Sequence, residues 1–570
     1  MDPLMYRLIC ETKARSRGPT EWKCIPGSLF LALSAVLVYV SVPGLSFGQA
    51  ANIYVASTAQ GANNGMDCAD AYAVTFFNTS GNWGNGASQI GPGTTVHLCG
   101  AFSSATQGGV MLTTHGNGAS GNPIIIQSES GNTFNSTGWW GSYDESGTDG
   151  SGAIVVQNNY ITLDGKGIGV IQNMLAGSTG QTCPGGPCSQ HPGAGVGSVG
   201  IFLAGGVSYV TVQNWTIQNI YLNGGSSSSA TDTAGVDTAD IRVSHGATNI
   251  SIDGNTLNNS RAGIWADLSS SNIYNNSLDD HCWQMNIGGG TSVNIYNNTV
   301  GSSSGDYGYL NWQYPISSYH TDGIIASGSS GNLQRLYIYD NLFVGDLGLG
   351  SPTGMIFSTY GASGDGSGSA ITAFNNVFVG LNNTVTNDAL IYFHAAGSGN
   401  SLGPHYLYNN TFVNGAYSID MDGDTTTDYT LENNVFVGNS SSTTWFFHQE
   451  SVNQPFSTLI LFNNNDYYNG RTDAAWDWNG TGYATLLSWQ SACGCDGNSV
   501  TGNPNLSSAY TLQAGSAAID DGANLESLDI TALDSDKAGT ARPLTGAWDM
   551  GAYQGQDPIS PPSNVTASAY

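Results

Sequence analysis

The chain has 570 residues, of which 78 are Gly and only 9% are charged, and its formal net charge is −29. Few Lys and Glu but many Gly, Asn, Ser, Thr and aromatic residues favour strands and turns over helices. A surface this acidic repels nucleic acid and anionic membranes, which excludes both as partners, and it favours the binding of divalent cations.

The first 50 residues have the pattern of a secretory signal peptide. Basic residues in segment 7–23 precede an apolar run from Leu29 to Val42, and a small-residue site follows at residues 48–50. We expect cleavage near Ala50 and a secreted or cell-surface protein without a membrane span. The alternative is an uncleaved membrane anchor, although the run is shorter than the roughly 20 residues that a span needs. Without this segment the chain keeps 7 Lys+Arg against 38 Asp+Glu.

Export makes disulfides permissible, and the cysteine spacing suggests where they form. The predicted pairs are Cys68 with Cys99 and Cys183 with Cys188. The Cys493-Gly-Cys495 segment forms either a small-ring bridge or two bonds to separate partners, and Cys282 is left over.

Short strand candidates between Gly and Asn turns indicate an N-terminal cap and first coils over residues 51–170. Residues 171–470 carry a repeat array, residues 471–556 a C-terminal capping segment, and residues 557–570 an exposed tail.

The repeat consists of a short alternating apolar run, then Asn-Asn or Asp-Asn, then another apolar pair. Clear copies are Asn-Ile-Tyr-Asn-Asn-Thr-Val ending at Val300, Tyr-Ile-Tyr-Asp-Asn-Leu-Phe at Phe343 and Tyr-Leu-Tyr-Asn-Asn-Thr-Phe at Phe412. A second apolar run, such as Gly323–Ala326, precedes the Asn-bearing strand. Periodic repeats of this length are typical of stacked coils, and we expect three strands in each coil.

Three parallel sheets around a prism bury the inward apolar side chains of such coils. Asn suits the left-handed backbone of the tight turn, and its amide can bond the Asn of the next coil in a ladder with roughly 4.8 Å spacing. The Asn residues are therefore predicted to be structural.

These repeats resemble the right-handed parallel β-helix, or pectin-lyase-like, superfamily, which implies an all-β solenoid. That superfamily includes polysaccharide lyases, polygalacturonase-like hydrolases and non-catalytic surface proteins. The C-terminal stretch resembles a segment that closes such helices in secreted bacterial proteins, which implies a structural role for Arg542 and Asp549 over the open end.

Alignment of the coils on the Gly-Ile strand puts several polar residues in one column, just upstream of that strand. The column contains Asp240, Arg261, Asp279, Asp280, His281, His320 and Asp322. Arg242 and several aromatic residues lie near it in sequence. Sugar rings stack on aromatic faces, so the predicted substrate-binding residues are Trp265, Trp283, Trp312 and Tyr319, together with Asp240 and Arg242.

Hydrolysis of a glycosidic bond needs one carboxylic acid and one carboxylate. Asp280 and Asp322 are the predicted acid/base pair, supported by Asp279, His281, His320 and Arg261. His320-Thr321-Asp322-Gly323 and Asp279-Asp280 are similar to polygalacturonase motifs, although their order is reversed. The predicted function is thus cleavage of an extracellular polysaccharide.

Two alternatives remain open at this point. One is a Ca²⁺-assisted polysaccharide lyase that uses Arg261, because β-elimination on a uronate needs a cation and a base. The other is a non-catalytic surface or adhesion protein that binds glycan. A solenoid of this length is expected to be stable as a monomer.

A second acidic cluster is predicted to bind Ca²⁺, because carboxylates that alternate around a Gly resemble a calcium loop. Its members are Asp420, Asp422, Asp424 and Asp428.

Overall fold

The computed structural model describes residues 50–104, 110–136, 152–173, 182–183, 186–187, 199–220, 238–306, 320–327, 334–347, 351–352, 354–359, 369–380, 389–394, 403–422, 429–439, 444–449, 460–478 and 480–555. The predicted signal peptide and the C-terminal tail therefore lie outside the described residues. No helix in the described part of the chain is long and apolar enough to cross a membrane.

The described residues form strands with only short helices. The helices are α1 (Val74–Phe77) and α2 (Leu486–Cys493), with 3₁₀ turns at Cys68–Asp70, Ser80–Asn82 and Glu526–Leu528. The strands, numbered β1 to β39 in chain order, are Asn52–Ala56, Tyr72–Ala73, Thr95–Cys99, Ala101–Ser104, Leu112–Thr113, Ile124–Ser128, Thr133–Ser136, Ile154–Val156, Ile161–Asp164, Val170–Asn173, Thr182–Cys183, Gly186–Pro187, Val199–Leu203, Ser208–Gln213, Thr216–Gln218, Ala239–Asp253, Thr256–Ser269, Ser271–Tyr274, Ser277–Gly288, Val293–Tyr296, Thr299–Asp306, His320–Ser327, Gln334–Tyr339, Leu342–Asp346, Ser351–Pro352, Gly354–Thr359, Ser369–Phe374, Val377–Val379, Ala389–His394, His405–Tyr408, Thr411–Val413, Tyr417–Asp422, Tyr429–Glu432, Val435–Val437, His448–Gln449, Ile460–Asn463, Asp466–Tyr468, Trp476–Trp478 and Thr481–Tyr483.

The chain winds as a right-handed parallel β-helix, which confirms the predicted fold class. In the described residues 35 strands join in one continuous hydrogen-bonded sheet, in which strands of successive coils pair in parallel. The other four strands form two antiparallel pairs, β11 with β12 and β38 with β39. The coil has three faces. We call them the front sheet (inward residues such as Ile264), the middle sheet (such as Ile273) and the third sheet (such as Leu278).

The interior is a column of apolar side chains stacked in register. Ile252, Ile273 and Ile295 succeed one another on the middle sheet and are fully buried. On the third sheet the rings of Phe343, Phe378, Phe412 and Phe436 stack at centroid distances of 4.7 to 4.9 Å. Because the coil rise equals the strand spacing, identical residues meet one another at van der Waals distance.

The two residues of each Asn-Asn pair have different structural roles. The first adopts the left-handed conformation, as in Asn275 (φ 56) and Asn409 (φ 50). The second is buried and forms the ladder: Asn276 Nδ2 donates to Asn298 Oδ1 at 3.0 Å, and Asn298 Nδ2 donates to Asn341 Oδ1 at 3.0 Å. The ladder is therefore confirmed.

Aromatic residues close both ends of the described solenoid. At the N-terminal end α1 contributes Phe77, which packs edge-on against Trp83 at 4.9 Å. At the C-terminal end α2 contributes Trp489, which is fully buried beside Phe462 and donates to Asp496 Oδ2 at 2.7 Å.

The segment after α2 folds along the side of the helix, at the corner formed by the Asn turns. Arg542 is buried there and donates to Asn375 Oδ1 at 2.8 Å, while Asn409 Nδ2 donates to the main-chain oxygen of Asp549 at 2.8 Å. These contacts fit the structural role expected of Arg542 and Asp549, but the two residues cover the side of the coils, and α2 covers the end.

Two disulfides occur in the described residues. The predicted Cys68–Cys99 bond is present, and Cys493 bonds Cys495 in the small-ring alternative. Cys282 is free and buried, as expected. The predicted partner of Cys183, Cys188, lies outside the described residues.

Candidate functional site

The front sheet presents one row of outward-facing side chains, which we call the front column. Strand register aligns the fully buried inward residues Ile241, Ile264, Met285, Ile324, Ile356, Ile391 and Ile419. The residue after each of them faces outward. The front column consists of these seven residues and of His448, which pairs with Asp420 on the next coil. Its members are Arg242, Trp265, Asn286, Ile325, Phe357, Tyr392, Asp420 and His448.

The residues just upstream of the inward Ile lie inside the helix. Asp240 and Gln284 have no exposed surface. A Cβ on Gly263 would approach the main-chain oxygen of Gln284 to 2.7 Å and His281 Cε1 to 3.1 Å, which shows that this position also faces inward. The chain bends into the front sheet here, so two successive residues face the interior. Of the predicted column, Asp240 occupies this inward position directly before the Ile.

Asp240 and His281 form a buried polar pair. His281 Nε2 lies 2.9 Å from Asp240 Oδ2, its Nδ1 lies 2.7 Å from Gln284 Oε1, and all three residues are fully buried. Burial raises the pKa of Asp240 to about 6, against the opposing hydrogen bond and charge of His281. Neither residue faces a groove, so their predicted roles in substrate binding and catalysis lack geometric support.

Asp322 lies at the same register position as Trp283, one coil further along. It has no exposed surface, and the only hydrogen bond to it within the described residues comes from the main-chain N–H of Gly354 at 3.4 Å. Burial raises the pKa of its carboxyl well above the ordinary value. The expectation that Asp322 and Asp280 both point outward into one groove is therefore wrong for Asp322.

Asp279 and Asp280 are half-buried at the corner before the front sheet. Asp280 has a φ of 59°, and the equivalent corner residues in the preceding coils, Asn219 and Asn259, have φ values of 60° and 63°. Asp280 thus also fills a turn position that favours a short polar side chain. Burial raises the pKa of both carboxyl groups, and the charge of Asp280 adds to the rise for Asp279.

Four of the predicted residues do come together, in a group that we call the Arg–Trp cluster. The guanidinium of Arg242 lies 4.0 Å from the ring centroid of Trp265, and that of Arg261 lies 4.5 Å from that of Trp283. The two indoles meet edge to face at 5.6 Å. All four side chains are half-buried, so each is in contact with both the sheet and the solvent.

The front column continues into a second polar group, of which the sequence analysis named only Asp420, as a calcium ligand. Tyr392 Oη lies 3.2 Å from His394 Nδ1, and His448 Nδ1 lies 2.8 Å from Asp420 Oδ1. The only sequence signal for these residues is that each follows an apolar residue in a front strand. This signal identifies outward-facing residues only once the strand register is known.

The predicted calcium cluster is not assembled in the described residues. Asp420 lies within β32 rather than in a loop, and its carboxylate is bonded to His448 and to the N–H of Met421. Asp422 is the last residue of β32, whereas Asp424 and Asp428 lie outside the described residues. No group of three or more His, Cys, Asp or Glu suited to a metal ion occurs in the described part of the chain.

The remaining predicted residues are only partly described. His320 begins β22, and its main chain pairs with Ser351. Trp312 and Tyr319 lie outside the described residues.

Comparison with solved structures finds matches at low sequence identity. Pectate lyase Pel9A is 14% identical with a TM-score of 0.40, covering 90% of this chain and 98% of its own. The GH136 lacto-N-biosidase from Eubacterium ramulus is 14% identical with a TM-score of 0.44, covering 69% and 65%. XylC in complex with xylose is 10% identical with a TM-score of 0.43, covering 88% and 98%. At these identities the likeness concerns the fold alone. No protein-family model and no curated protein sequence matches the chain.

Proposed function

We propose that the protein is a secreted carbohydrate-active enzyme that cleaves glycosidic bonds in an extracellular polysaccharide. The single observation that carries this proposal is the Arg–Trp cluster, two indoles and two guanidinium groups on one sheet surface. Sugar rings stack on aromatic faces, and guanidinium groups bind hydroxyl and carboxylate oxygens in a fixed geometry.

The position of the cations supports a substrate-binding role for this surface. Residues 51–570 contain only 7 Lys+Arg, and two of them, Arg242 and Arg261, lie together on Trp faces. In a protein of strongly negative charge, such a local cluster attracts an electronegative group that the remaining surface repels.

The length of the front column fits a polymer rather than a small sugar. Five coils separate Arg242 from Tyr392, a distance of roughly 24 Å at the strand spacing. Ile325 and Phe357, which lie between Trp265 and Tyr392 in this column, are buried, so a polysaccharide parallel to the helix axis would contact the column at its two ends.

The proposed acid/base residues are Asp279 and Asp280, which precede Trp283 in β19. Their pKa values are raised by burial, as a general acid requires. In this mechanism one carboxyl protonates the leaving oxygen and the other activates water. The complete burial of Asp240, His281 and Asp322 favours structural roles for those three residues.

A second candidate function is β-elimination on a uronate, and the paired guanidinium groups favour it. Arg242 and Arg261 would neutralise the substrate carboxylate, which makes the adjacent proton more acidic. No step of this candidate is assigned to calcium. The further alternative is a surface protein that binds glycan at the same place without cleaving it.

One experiment separates these functions. The mature protein is incubated with a panel of neutral and uronate-containing polysaccharides while reducing ends and ultraviolet absorbance are measured together. Reducing ends without absorbance indicate a hydrolase, both together indicate a lyase, and binding without either product indicates a non-catalytic protein.

Matched variants test the site itself. Arg261→Gln is compared with Arg335→Gln, because Arg335 is exposed on the middle sheet. We expect Arg261→Gln to lower kcat/KM about 100-fold or more, equivalent to a lost charged hydrogen bond of about 3 kcal/mol, and Arg335→Gln to leave it unchanged. Equal activity of both variants would refute this location.

Export of the protein is also part of the proposal. The Cys68–Cys99 and Cys493–Cys495 bonds support an oxidising compartment, where such bonds persist.

A further inference from the structure

The middle sheet carries a surface pocket that lies apart from the front column. Its volume is about 400 Å³, within the range of pockets that bind small molecules. One wall is the turn at Ala119–Gly121, and the floor is formed by Tyr160, Tyr209 and the outward-facing residues Thr162 and Thr211. No residue that lines it in the described part of the chain carries a charge.

The two tyrosines are held in a backbone conformation that bulky residues avoid. Tyr160 has a φ of 55° and Tyr209 a φ of 57°, and strand register places them side by side on successive coils. The next positions along the same corner are Asn249, Ser270 and Ser292, also left-handed. Small polar residues therefore suit this turn, and the two aromatic residues are the exceptions.

Core packing does not explain these aromatic side chains. Tyr209 is 50% exposed, and its ring stacks on that of Tyr160 at 4.6 Å with an interplanar angle of 3°. Backbone strain that persists at an exposed position is a feature of ligand-binding sites. Here the strain holds two parallel rings at the edge of a pocket.

We infer that this pocket binds neutral pyranose units of a polysaccharide, as a second site separate from the front column. The tyrosine rings provide an apolar platform for the C–H face of the sugar, and their hydroxyl groups bond its equatorial hydroxyls. Thr162 and Thr211 add a row of hydroxyl groups on neighbouring strands, and Asn249 adds an amide. The uncharged lining, within a molecule of net charge −29, selects neutral over acidic sugars.

Calorimetric titration of the mature protein with cellohexaose, xylohexaose and mannohexaose tests the inference, with a polygalacturonate oligomer as the acidic control. We expect at least one neutral hexasaccharide to bind and the acidic one not to bind at this pocket. Tyr209→Ala should weaken the neutral binding about tenfold or more, in line with a lost aromatic contact. Tyr274→Ala is the matched control, because Tyr274 also lies on the middle sheet and stacks on Tyr296 at 4.9 Å.

Tyr209→Asn distinguishes a binding role from a structural one. Asn occupies the equivalent position 249 with the same backbone conformation, so this variant relieves strain while it removes the platform. We expect lost binding with a Tm equal to or above that of the wild type. Absence of binding by every neutral hexasaccharide, retention of binding in Tyr209→Ala, or a lowered Tm with unchanged binding would each overturn the inference.

The result does not depend on cleavage at the front column. Trp265→Ala is expected to impair product formation and to leave hexasaccharide binding at the tyrosine pocket unchanged. A protein without cleavage activity that still loses binding on Tyr209→Ala would refute the proposed enzyme and support this second site.

Discussion

Replacement of Asn276 by Ala should destabilise the helix far more than replacement of its neighbour Asn275. Asn276 is 2% exposed, and its side chain accepts from the N–H of Asn255 at 2.9 Å and donates to the main-chain oxygen of Ile252 at 2.9 Å. It also donates to Asn298 Oδ1 at 3.0 Å. Alanine removes all of these hydrogen bonds. The buried main-chain N–H of Asn255 and the main-chain oxygen of Ile252 then lose the Asn276 side chain as a partner.

The expected magnitude follows from those contacts. A buried polar group that loses its partner costs about 1–3 kcal/mol, so the two main-chain groups together predict a loss of about 2–6 kcal/mol. Asn275 is exposed, and its amide donates to Asp253 Oδ1 at 2.9 Å. For Asn275→Ala the main cost is alanine at a φ of 56°, about 1 kcal/mol.

Urea unfolding, followed by tryptophan fluorescence, measures both variants against the wild type. With equal m values, the shift in midpoint converts directly into a free-energy difference. Amide hydrogen exchange in β18 and β20 shows whether the damage stays in the adjacent coils, as expected for a solenoid. If Asn276→Ala proves no more destabilising than Asn275→Ala, the ladder is not a main source of stability.

Three further predictions follow from other buried contacts. Gly263→Ala should cost about 1–3 kcal/mol, because its Cβ would meet a main-chain oxygen at 2.7 Å, whereas Gly288→Ala, with 3.9 Å of space, should be nearly neutral in the same urea assay. Burial raises the pKa of Asp466 from 3.8 to about 8, so its folded state holds the proton more tightly and stability falls as pH rises from about 4 to about 8. Asp466→Asn should therefore raise the Tm above pH 7 and have little effect at pH 4, and a constant Tm difference across this range would contradict the assignment. Reduction of the Cys68–Cys99 bond, which spans 31 residues, should cost about 3–4 kcal/mol, and an unchanged Tm with dithiothreitol would show that the N-terminal cap unfolds independently.

The repeat pattern was enough to predict the coil architecture. Apolar residues that alternate on either side of Asn-Asn place Ile273 and Leu278 inside, because successive strand residues point to opposite faces. The ladder was also predictable, since parallel in-register coils bring identical residues together. The sequence did not show which Asn of each pair turns the chain and which one forms the ladder, because that choice depends on the direction of each side chain at the corner.

The composition of the candidate site depended on which way each side chain faces where the chain bends into the front sheet, and the sequence does not show this. Successive side chains alternate between the inward and the outward face within a strand. This alternation fails where the chain bends into the front sheet, because Asp240 and Ile241 both face inward there. This shift puts Asp240 in the interior and brings the residue after the Ile to the surface, whereas Arg261, Asp279 and Asp280 stay half-buried. Composition, periodicity and local turn chemistry thus determined the solenoid, whereas the bends between its sheets decided which side chains meet at the Arg–Trp cluster and the tyrosine pocket, because outward columns combine residues from coils far apart in sequence.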